Sequence, residues 1–255
     1  MNAGAYIRDL KVEIATRGGR RAPGVTGLAG VDLTMARGEL TALMGESGCG
    51  KSLVAVALCG LLPPGSTVSG EVLINGESIA ATDDKRWRRI RGREVGLIPQ
   101  SPATSFTPVR TVGSQITECI RILGGARTAR ELAEVVELPV SALDLFPHEL
   151  SGGMAQRATI AAALAGDPSV LVADEPTSAL DPALAAATWR LLRSMADGGA
   201  GVLVITHDVS GLFAEDICDS VALMRAGRIV ATGTPTSILD IDNTYVSTFF
   251  DGVSA

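Results

Sequence analysis

The sequence has little of the chemistry on which disulfide, iron–sulfur and zinc proteins depend. Its 255 residues include four cysteines and two histidines, and aromatic residues make up only 4%. The cysteines are scattered and form no CxxC pair; they are Cys49, Cys59, Cys119 and Cys218. This pattern argues against a zinc ribbon or an iron–sulfur site, and it suits a reducing compartment.

A hydrophobic run long enough to cross a membrane is also missing. The longest apolar stretches are Leu53–Leu62 and Ile160–Gly166, whereas a membrane-spanning helix needs about 18 to 20 residues. The charged residues Arg8, Asp9 and Lys11 interrupt the opening segment, which is unlike the apolar stretch of a secretory signal peptide. We therefore expect a cytoplasmic chain.

The sequence has no excess of positive charge. Lys and Arg number 22 and Asp and Glu number 28, so the net charge is −6, and no global basic field favours nucleic acid. We interpret the one basic cluster, Lys85–Arg93, as a solvated face; the alternative, a nucleic-acid patch, finds no support elsewhere. Hydrophobic residues make up 46%, which supplies a substantial core and excludes intrinsic disorder.

The order of the apolar patterns predicts an α/β fold. Alternating or short apolar runs predict strands that include Tyr6–Ile14 and Val170–Ala173, and Asn75-Gly76 predicts a hairpin turn. Buried strands then alternate with helical patterns, as in proteins with a parallel sheet. A mainly helical lobe of roughly 50 residues interrupts this alternation. The predicted helices are Leu53–Leu62, Thr111–Leu123, Ala126–Val136, Pro182–Met195 and Asp208–Ile217.

A glycine-rich segment after a short apolar run carries the clearest chemistry. It fits GxxxxGK[ST] at every fixed position, between a predicted strand and a predicted helix. The glycines let backbone N–H groups converge on phosphates, and the following helix adds donors and the positive end of its dipole. We expect Lys51 to neutralise the outer phosphates of a nucleoside triphosphate and Ser52 to ligate Mg²⁺. The predicted phosphate loop consists of Gly45, Glu46, Ser47, Gly48, Cys49, Gly50, Lys51 and Ser52.

Two acids follow the apolar strand that begins at Val170. A strand that ends in paired acids, in a chain with a phosphate loop, places one carboxylate near the metal and the other near a water molecule. We assign Asp174 to the Mg²⁺ shell and Glu175 to the role of general base. Alone, such a strand end would more often be an ordinary surface terminus.

A third motif identifies the chain as a member of a family. The segment Leu150–Arg157 resembles the LSGGQ signature of ATP-binding-cassette (ABC) proteins, with Met154 where the pattern usually has Gln. Further matches follow in the family's order at Gln100, in the loop Ser178–Asp181 and at His207. Six ordered motifs between residues 45 and 207 make coincidence negligible.

The resemblance implies the ABC ATPase fold and its cofactors, ATP and Mg²⁺. That fold has a RecA-like P-loop core with an N-terminal antiparallel β subdomain and an inserted α-helical subdomain. In a single domain of residues 1–255, residues 1–98 and 155–255 would form the core with its β subdomain. Residues 99–154 would form the helical subdomain that carries the signature.

The resemblance also implies roles for the remaining motif residues. Gln100 would contact Mg²⁺ and the attacking water, and His207 would contact the γ-phosphate. Asp181 is expected at the nucleotide through the loop that contains it. Three residues would act in trans, closing over ATP held by a partner subunit; they are Ser151, Gly152 and Gly153.

Narrower segments are similar to the importers of dipeptides, oligopeptides and nickel; they are Pro99–Val109, Thr111–Ile116 and Phe146–Ser151. This similarity implies an energy-coupling ATPase at the cytoplasmic face of the membrane. Its partners would be a second ABC ATPase subunit in a heterodimer, two permease subunits and, indirectly, an extracytoplasmic substrate-binding protein, with no nucleic acid. The solute would be a peptide, nickel or a metal chelate. The lack of a cysteine after Cys218 favours the nickel- or metallophore-type members.

One position departs from the family pattern. Family members usually place an aromatic residue near the end of the first strand, where it stacks on adenine, and here that position holds Ile14. An isoleucine offers apolar contact without a π face, so we expect weaker selection of the base. The alternative is that an arginine of the segment Arg17–Arg21 covers the base through a cation–π contact.

Two other functions remain as alternatives. The first is a soluble ABC ATPase that acts on DNA or ribosomes, but such proteins carry a long coiled coil, zinc modules or two cassettes in one chain. The second is an exporter ATPase, which the importer-like segment after Gln100 disfavours.

Overall fold

Two β-sheets and eight α-helices build the described part of the computed structural model, which comprises residues 3–15, 24–178, 180–213 and 217–251. The strands are β1 (Ala3–Ile14), β2 (Val25–Ala36), β3 (Leu40–Gly45), β4 (Thr67–Ile74), β5 (Glu77–Ile79), β6 (Val95–Ile98), β7 (Val170–Asp174), β8 (Gly201–Ile205), β9 (Ser220–Arg225) and β10 (Arg228–Gly233). The helices are α1 (Lys51–Leu58), α2 (Asp84–Ile90), α3 (Val112–Leu123), α4 (Ala129–Val135), α5 (Gly152–Ala163), α6 (Pro182–Asp197), α7 (Val209–Phe213) and α8 (Thr244–Phe250). None of these helices is both long enough and apolar enough to cross a membrane.

The larger sheet determines where the motifs meet. Its order is β10-β9-β3-β8-β7-β6, and β3 pairs in parallel with both β9 and β8. Every residue of β3 and β8 is buried, as expected for parallel strands covered on both faces. The loops after β3, β6, β7 and β8 therefore lie at one edge, where ligands of open α/β sheets bind.

The smaller sheet is antiparallel, in the order β2-β1-β4-β5. Its apolar face shares a core with α1, α2 and one face of the larger sheet, and Trp87 is the largest fully buried side chain there. The predicted hairpin at Asn75-Gly76 is confirmed, with φ of 51° and 84° at its two turn residues. The segment Arg17–Gly24, between β1 and β2 in sequence, lies almost entirely outside the described residues.

A second core lies under the helices on the other face of the larger sheet. It joins α3, α4 and α5 to that sheet and to α6, with Trp189 buried at its centre. The predicted helix Thr111–Leu123 is confirmed to within one residue. The proposed division into residues 1–98 and 155–255 against 99–154 stays a prediction; its boundary after residue 154 falls inside α5.

Two predicted helices end or begin elsewhere. The helix expected over Leu53–Leu62 ends at Leu58, well before Pro63 and Pro64, because Gly60 adopts a φ of 62°. The Leu61 amide then bonds the Val56 carbonyl at 2.7 Å, which together with the Gly60 amide on Ala57 forms a Schellman ending.

The helix expected over Ala126–Val136 begins at Ala129 instead. The Thr128 hydroxyl accepts from the Glu131 amide, and the Glu131 carboxylate accepts from the Thr128 amide at 2.7 Å. This capping box sets the first turn three residues later than predicted. Similarly, the helix expected over Asp208–Ile217 is described only over Val209–Phe213, and residues 214–216 lie outside the described residues.

The basic cluster Lys85–Arg93 is engaged in structural contacts as well as exposed. Arg88 pairs with Asp84 at 2.7 Å. Arg91 donates to the Cys59 carbonyl at the end of α1 (2.8 Å), and Arg93 donates to the Ile122 carbonyl near the end of α3 (3.0 Å). Two of its arginines therefore tie the ends of helices to the segment before β6.

Candidate functional site

The phosphate loop joins the end of β3 to the start of α1. Gly48 and Gly50 lie in the left-handed region, with φ of 79° and 109°, a conformation that favours glycine. A Cβ on Gly50 would also lie 2.8 Å from the Gly27 carbonyl oxygen. The glycines of the motif are thus required both by backbone conformation and by the close approach of β2.

Lys51 lies inside this loop. Its side chain is 9% exposed, and its Nζ donates to the carbonyl oxygens of Gly45 (2.7 Å) and Glu46 (2.9 Å). Cys49 is buried in the same loop, with its Sγ 4.0 Å from Nζ. The loop therefore wraps around one ammonium group, which is the positive charge that bound phosphates need.

Ser52 and Asp174 meet between α1 and the end of β7. The Ser52 side chain lies close enough to the Asp174 carboxyl to affect its pKa, although β8 lies between β3 and β7 in the sheet. Burial raises the pKa of the Asp174 carboxyl. Ser52 and Lys51 oppose this rise, and the Glu175 carboxylate adds to it. Its Oδ1 is buried without a hydrogen-bond partner in the described part of the chain. A hard cation is the kind of partner that this oxygen and the serine hydroxyl suit.

Glu175 follows directly and faces His207. The His207 Nδ1 lies 3.0 Å from Glu175 Oε1 and 2.9 Å from Oε2. Glu175 has a φ of 50°, and its amide donates to the Ile205 carbonyl of β8 at 2.8 Å. A non-glycine residue in this region is strained and is held by its surroundings, a condition that clusters at functional sites.

The loop that carries His207 is supported from below. The Asp208 amide donates to the Thr206 hydroxyl at 2.9 Å, and the Asp208 carboxylate accepts from the Gly211 amide at 3.1 Å. A Cβ on Gly211 would lie 2.6 Å from Trp189 Nε1 of α6. The buried indole of α6 thus packs directly against the turn that follows His207.

These residues share one cleft of about 850 Å³. Gln100, which follows β6, lies on its wall, as do Glu175 and His207. The predicted site residues that line the cleft are Gly45, Ser47, Gly48, Cys49, Gly50, Lys51, Ser52, Gln100, Glu175 and His207. Glu46 and Asp174 contact lining residues through Lys51 and Ser52.

Four predicted site residues lie apart from this cleft. The Ser151 hydroxyl caps α5 by accepting from the Met154 amide (3.3 Å), and Asp181 caps α6 by accepting from the Ala183 amide (3.0 Å) and the Leu184 amide. Gly152 is open to solvent, whereas a Cβ on Gly153 would lie 2.8 Å from a Leu184 methyl. The starts of α5 and α6 are therefore neighbours, and roles of these residues toward a nucleotide stay predictions.

Several lining residues were not predicted. Val25, Thr26 and Gly27 of β2 line the cleft with Ile14, and so do Ala226 and Gly227 of the β9–β10 turn, which packs against β2. Val25 is the cross-strand partner of Ile14. A prediction of the β1–β2 register could have placed Val25 beside Ile14.

Comparisons with known proteins agree with this geometry. A family described as ABC transporter matches residues 28–178. A probable peptide ABC transporter ATP-binding protein, y4tR of Sinorhizobium fredii, is 42% identical over 222 residues, which are 83% of this chain and 66% of that protein. The oligopeptide transport ATP-binding protein OppD of Bacillus subtilis is 40% identical over 243 residues, which are 91% of this chain and 66% of OppD. The chain thus spans just under two thirds of the length of these relatives.

Solved structures are similar over nearly the whole chain. The ATP-binding cassette MJ0796, in a dimeric post-hydrolysis state bound to ADP and Pi, superposes with a TM-score of 0.77 at 26% identity, covering 91% of this chain and 98% of that one. CbiO1 of Clostridium perfringens superposes with a TM-score of 0.74 at 23% identity, covering 99% and 96%. The predicted fold is confirmed.

The position of Ile14 yields a test of base selection. Replacing Ile14 with Tyr adds a π face to the cleft wall, which is worth about 0.5–1.5 kcal/mol in aromatic pairs. We expect Ile14→Tyr to tighten ATP binding by up to about tenfold and to sharpen the preference for ATP over GTP. Competition binding on the wild type and on Ile14→Leu, which has no π face, provides the comparison. A strong wild-type preference that Ile14→Tyr leaves unchanged would favour a cation–π contact from the segment Arg17–Arg21, which lies outside the described residues.

The raised pKa of Asp174 yields a test by pH. Because its folded pKa exceeds the ordinary value of 3.8, ionisation of Asp174 lowers stability as the pH rises through the folded value. Asp174→Asn removes this effect, so at pH 7 without nucleotide its free energy of unfolding should exceed that of the wild type. The difference should shrink toward pH 3.8 and below.

The same variant should bind MgATP about tenfold more weakly or worse, because it would lose the charged ligand that we predict for Mg²⁺. Denaturant unfolding between pH 3.5 and 8 and binding titrations measure the two effects. Asp144→Asn, at an exposed carboxylate, controls for the change in net charge. A less stable Asp174→Asn protein at pH 7 would contradict the assignment.

Proposed function

The chain belongs to the ABC transporter family, and from that premise we propose that it binds and hydrolyses ATP to drive an importer. The observation that carries the proposal is the single cleft in which the phosphate loop meets Gln100, Glu175 and His207. ATP supplies the anionic group that the loop suits. The water that attacks its γ-phosphate would lie beside the two residues at the ends of β7 and β8.

Binding of the phosphates falls to the loop and to Lys51. Backbone N–H groups at the start of α1 and the buried ammonium together oppose the negative charge of a triphosphate. Both carbonyls that accept from Lys51 belong to the loop itself. They hold the ammonium beside the position that the outer phosphates would occupy, so the Lys51 side chain needs little reorganisation when ATP binds.

Mg²⁺ is proposed to bind at Ser52 and Asp174, with Gln100, which lines the same cleft, as a further ligand. The buried Oδ1 of Asp174 and the adjacent hydroxyl fit a small hard cation, whose other ligands would be water and phosphate oxygens. When bound, the cation supplies positive charge to the β- and γ-phosphates.

Glu175 is proposed as the base. Its carboxylate would accept a proton from the attacking water. His207, protonated at Nδ1, would donate a hydrogen bond to that carboxylate and fix its orientation. The side chain of Glu175 is 12% exposed. This partial burial strengthens the charge–dipole interactions around it relative to bulk water.

The remaining predicted residues are proposed to act across a dimer of cassettes. Ser151, Gly152 and Gly153 lie at the start of α5 and outside the cleft of their own chain, as residues that close over a partner's ATP must. Asp181 at the start of α6 lies beside them. The similar cassette MJ0796 is dimeric in its post-hydrolysis state, which supports such an arrangement.

We propose a heterodimer with a second cassette, bound to two permease subunits at the cytoplasmic face of the membrane and served by an extracytoplasmic binding protein. The names of the relatives favour peptides as the solute over nickel or a metal chelate. Co-purification of the complex, followed by identification of what its binding protein retains, distinguishes the two classes. Retention of nickel without peptide would overturn the peptide assignment.

Replacing Glu175 tests hydrolysis. The amide of Glu175→Gln keeps the shape of the side chain but accepts no proton, so turnover should fall by orders of magnitude while ATP binding persists. The variant should also accumulate a nucleotide-bound dimer. ATPase rates and MgATP titrations on the purified complex measure both effects. Near-normal turnover would show that the partner's site carries hydrolysis.

Replacing Ser151 tests action in trans. Ser151→Arg introduces bulk and charge at the start of α5, so it should impair the ATP site whose phosphate loop belongs to the partner. The affinity of the isolated chain for MgATP should stay nearly unchanged. Ser151→Ala removes the hydroxyl, and with it a helix cap worth about 1 kcal/mol, without adding bulk or charge, so it serves as the comparison for the isolated chain. A large loss of ATP binding by the isolated Ser151→Arg chain would contradict the proposal.

A further inference from the structure

The β9–β10 turn packs against the outside of the phosphate loop. Gly45 pairs with Met224 in the parallel ladder between β3 and β9. The Gly227 amide donates to the Cys49 carbonyl at 2.9 Å, and the Gly227 carbonyl accepts from the Ala29 amide of β2 at 2.8 Å. The turn thus links the phosphate loop to the smaller sheet through main-chain hydrogen bonds.

Tyr245 of α8 lies behind this junction. Its hydroxyl donates to the Met224 carbonyl at 3.4 Å, and the Arg225 guanidinium lies 4.5 Å from its ring centroid. Burial raises the pKa of Tyr245, the Glu46 carboxylate raises it further and the Glu46 backbone amide opposes the rise. The Met224 carbonyl oxygen that accepts from the phenol also packs against Gly45 at the start of the phosphate loop.

Gly45 lies between Met224 and Lys51. A Cβ on Gly45 would lie 2.2 Å from the Met224 carbonyl oxygen, and the Gly45 carbonyl accepts from Lys51 Nζ at 2.7 Å. The backbone at Gly45 therefore connects the acceptor of the Tyr245 hydroxyl to the Lys51 ammonium. A shift of Gly45 would displace this ammonium, because the Gly45 carbonyl holds it.

We propose that Tyr245 is a positioning residue of the nucleotide site: through Met224 and Gly45 it holds the phosphate loop in its binding conformation. Tyr245 does not line the cleft, so it acts through the loop and not on the nucleotide. The inference rests on the proposed binding of ATP. It predicts that loss of the Tyr245 hydroxyl weakens the binding of ATP and of GTP by the same factor, because both carry the same phosphates.

The chain offers a matched pair of variants, because its only other tyrosine, Tyr6, is also half-buried under an arginine. The Arg8 guanidinium lies 5.4 Å from the Tyr6 ring, in the smaller sheet and away from the cleft. Tyr245→Phe keeps the ring and removes the hydroxyl, and Tyr6→Phe does the same at the control position. MgATP and MgGTP titrations on the full chain and both variants measure the effect.

Tyr245→Phe should weaken binding of MgATP and MgGTP by the same factor, about two- to tenfold, the range expected for a lost neutral hydrogen bond. Tyr6→Phe should bind as the wild type does. A merely structural role would lower the unfolding midpoint and leave both affinities unchanged at a temperature where the variants are folded. Unchanged affinities, or a loss for ATP alone, would overturn the proposal.

Hydrogen exchange provides a second measurement, whose main result comes from the wild type. If the contact between Tyr245 and β9 favours nucleotide binding, then nucleotide binding must favour that contact to the same extent. MgATP should therefore slow amide exchange in Thr244–Phe250 of the wild type, and Tyr245→Phe should reduce this slowing. Exchange in this helix that MgATP leaves unchanged, in a wild-type chain that binds MgATP, would overturn the role of Tyr245 alone. A wild-type chain that binds no nucleotide would overturn the proposed function and this inference with it.

Discussion

The close packing of Gly45 against β9 is the constraint on which the rest of the site depends. A Cβ on Gly45 would lie 2.2 Å from the Met224 carbonyl oxygen, and its φ is 148°, so glycine alone leaves room for this approach. The chain leaves β3 at this point and turns through the loop into α1. The position of Gly45 consequently sets where Lys51 enters the loop and where Ser52 reaches Asp174 on β7.

The acids at the end of β7 show that the site is built at some expense of stability. Burial disfavours the charged form of Asp174, and Glu175 has a backbone conformation that L-residues rarely adopt. Both are adjacent residues at the end of a strand buried between β6 and β8. The surrounding sheet supplies the stability that this local strain removes, and a mobile loop could not hold the same geometry.

The parts of the site that depend on neighbours in sequence could be predicted from the sequence. The phosphate loop, the paired acids and the hairpin at Asn75-Gly76 each follow from local conformational preference. The sequence analysis places the end of α1 at Leu62, because Pro63 and Pro64 are the more obvious helix breakers. Gly60 is a local signal for the earlier end at Leu58.

Contacts between distant segments could not be predicted. Nothing in the pattern of residues places Ala226 in the cleft or Tyr245 behind Met224, because these contacts depend on the order of strands in the sheet and on where α8 packs. The position of Thr26 depends likewise on the register between β1 and β2. The capping of α6 by Asp181, in contrast, is local.

Helix α6 contacts three parts of the described chain: the start of α5, the turn after His207 and the start of β3. At its start, Leu184 packs against Gly153 of α5. Five residues later, Trp189 packs against the turn that follows His207. Near its end, Arg193 donates to the Gly38 carbonyl at 2.9 Å and pairs with Asp219, whose carboxylate also accepts from the Leu40 amide at the start of β3. Close-packed contacts of this kind transmit displacement because they leave no room to absorb it. A shift of the start of α5 relative to β3 therefore has to move α6 or break its packing, and either would disturb the support beneath His207.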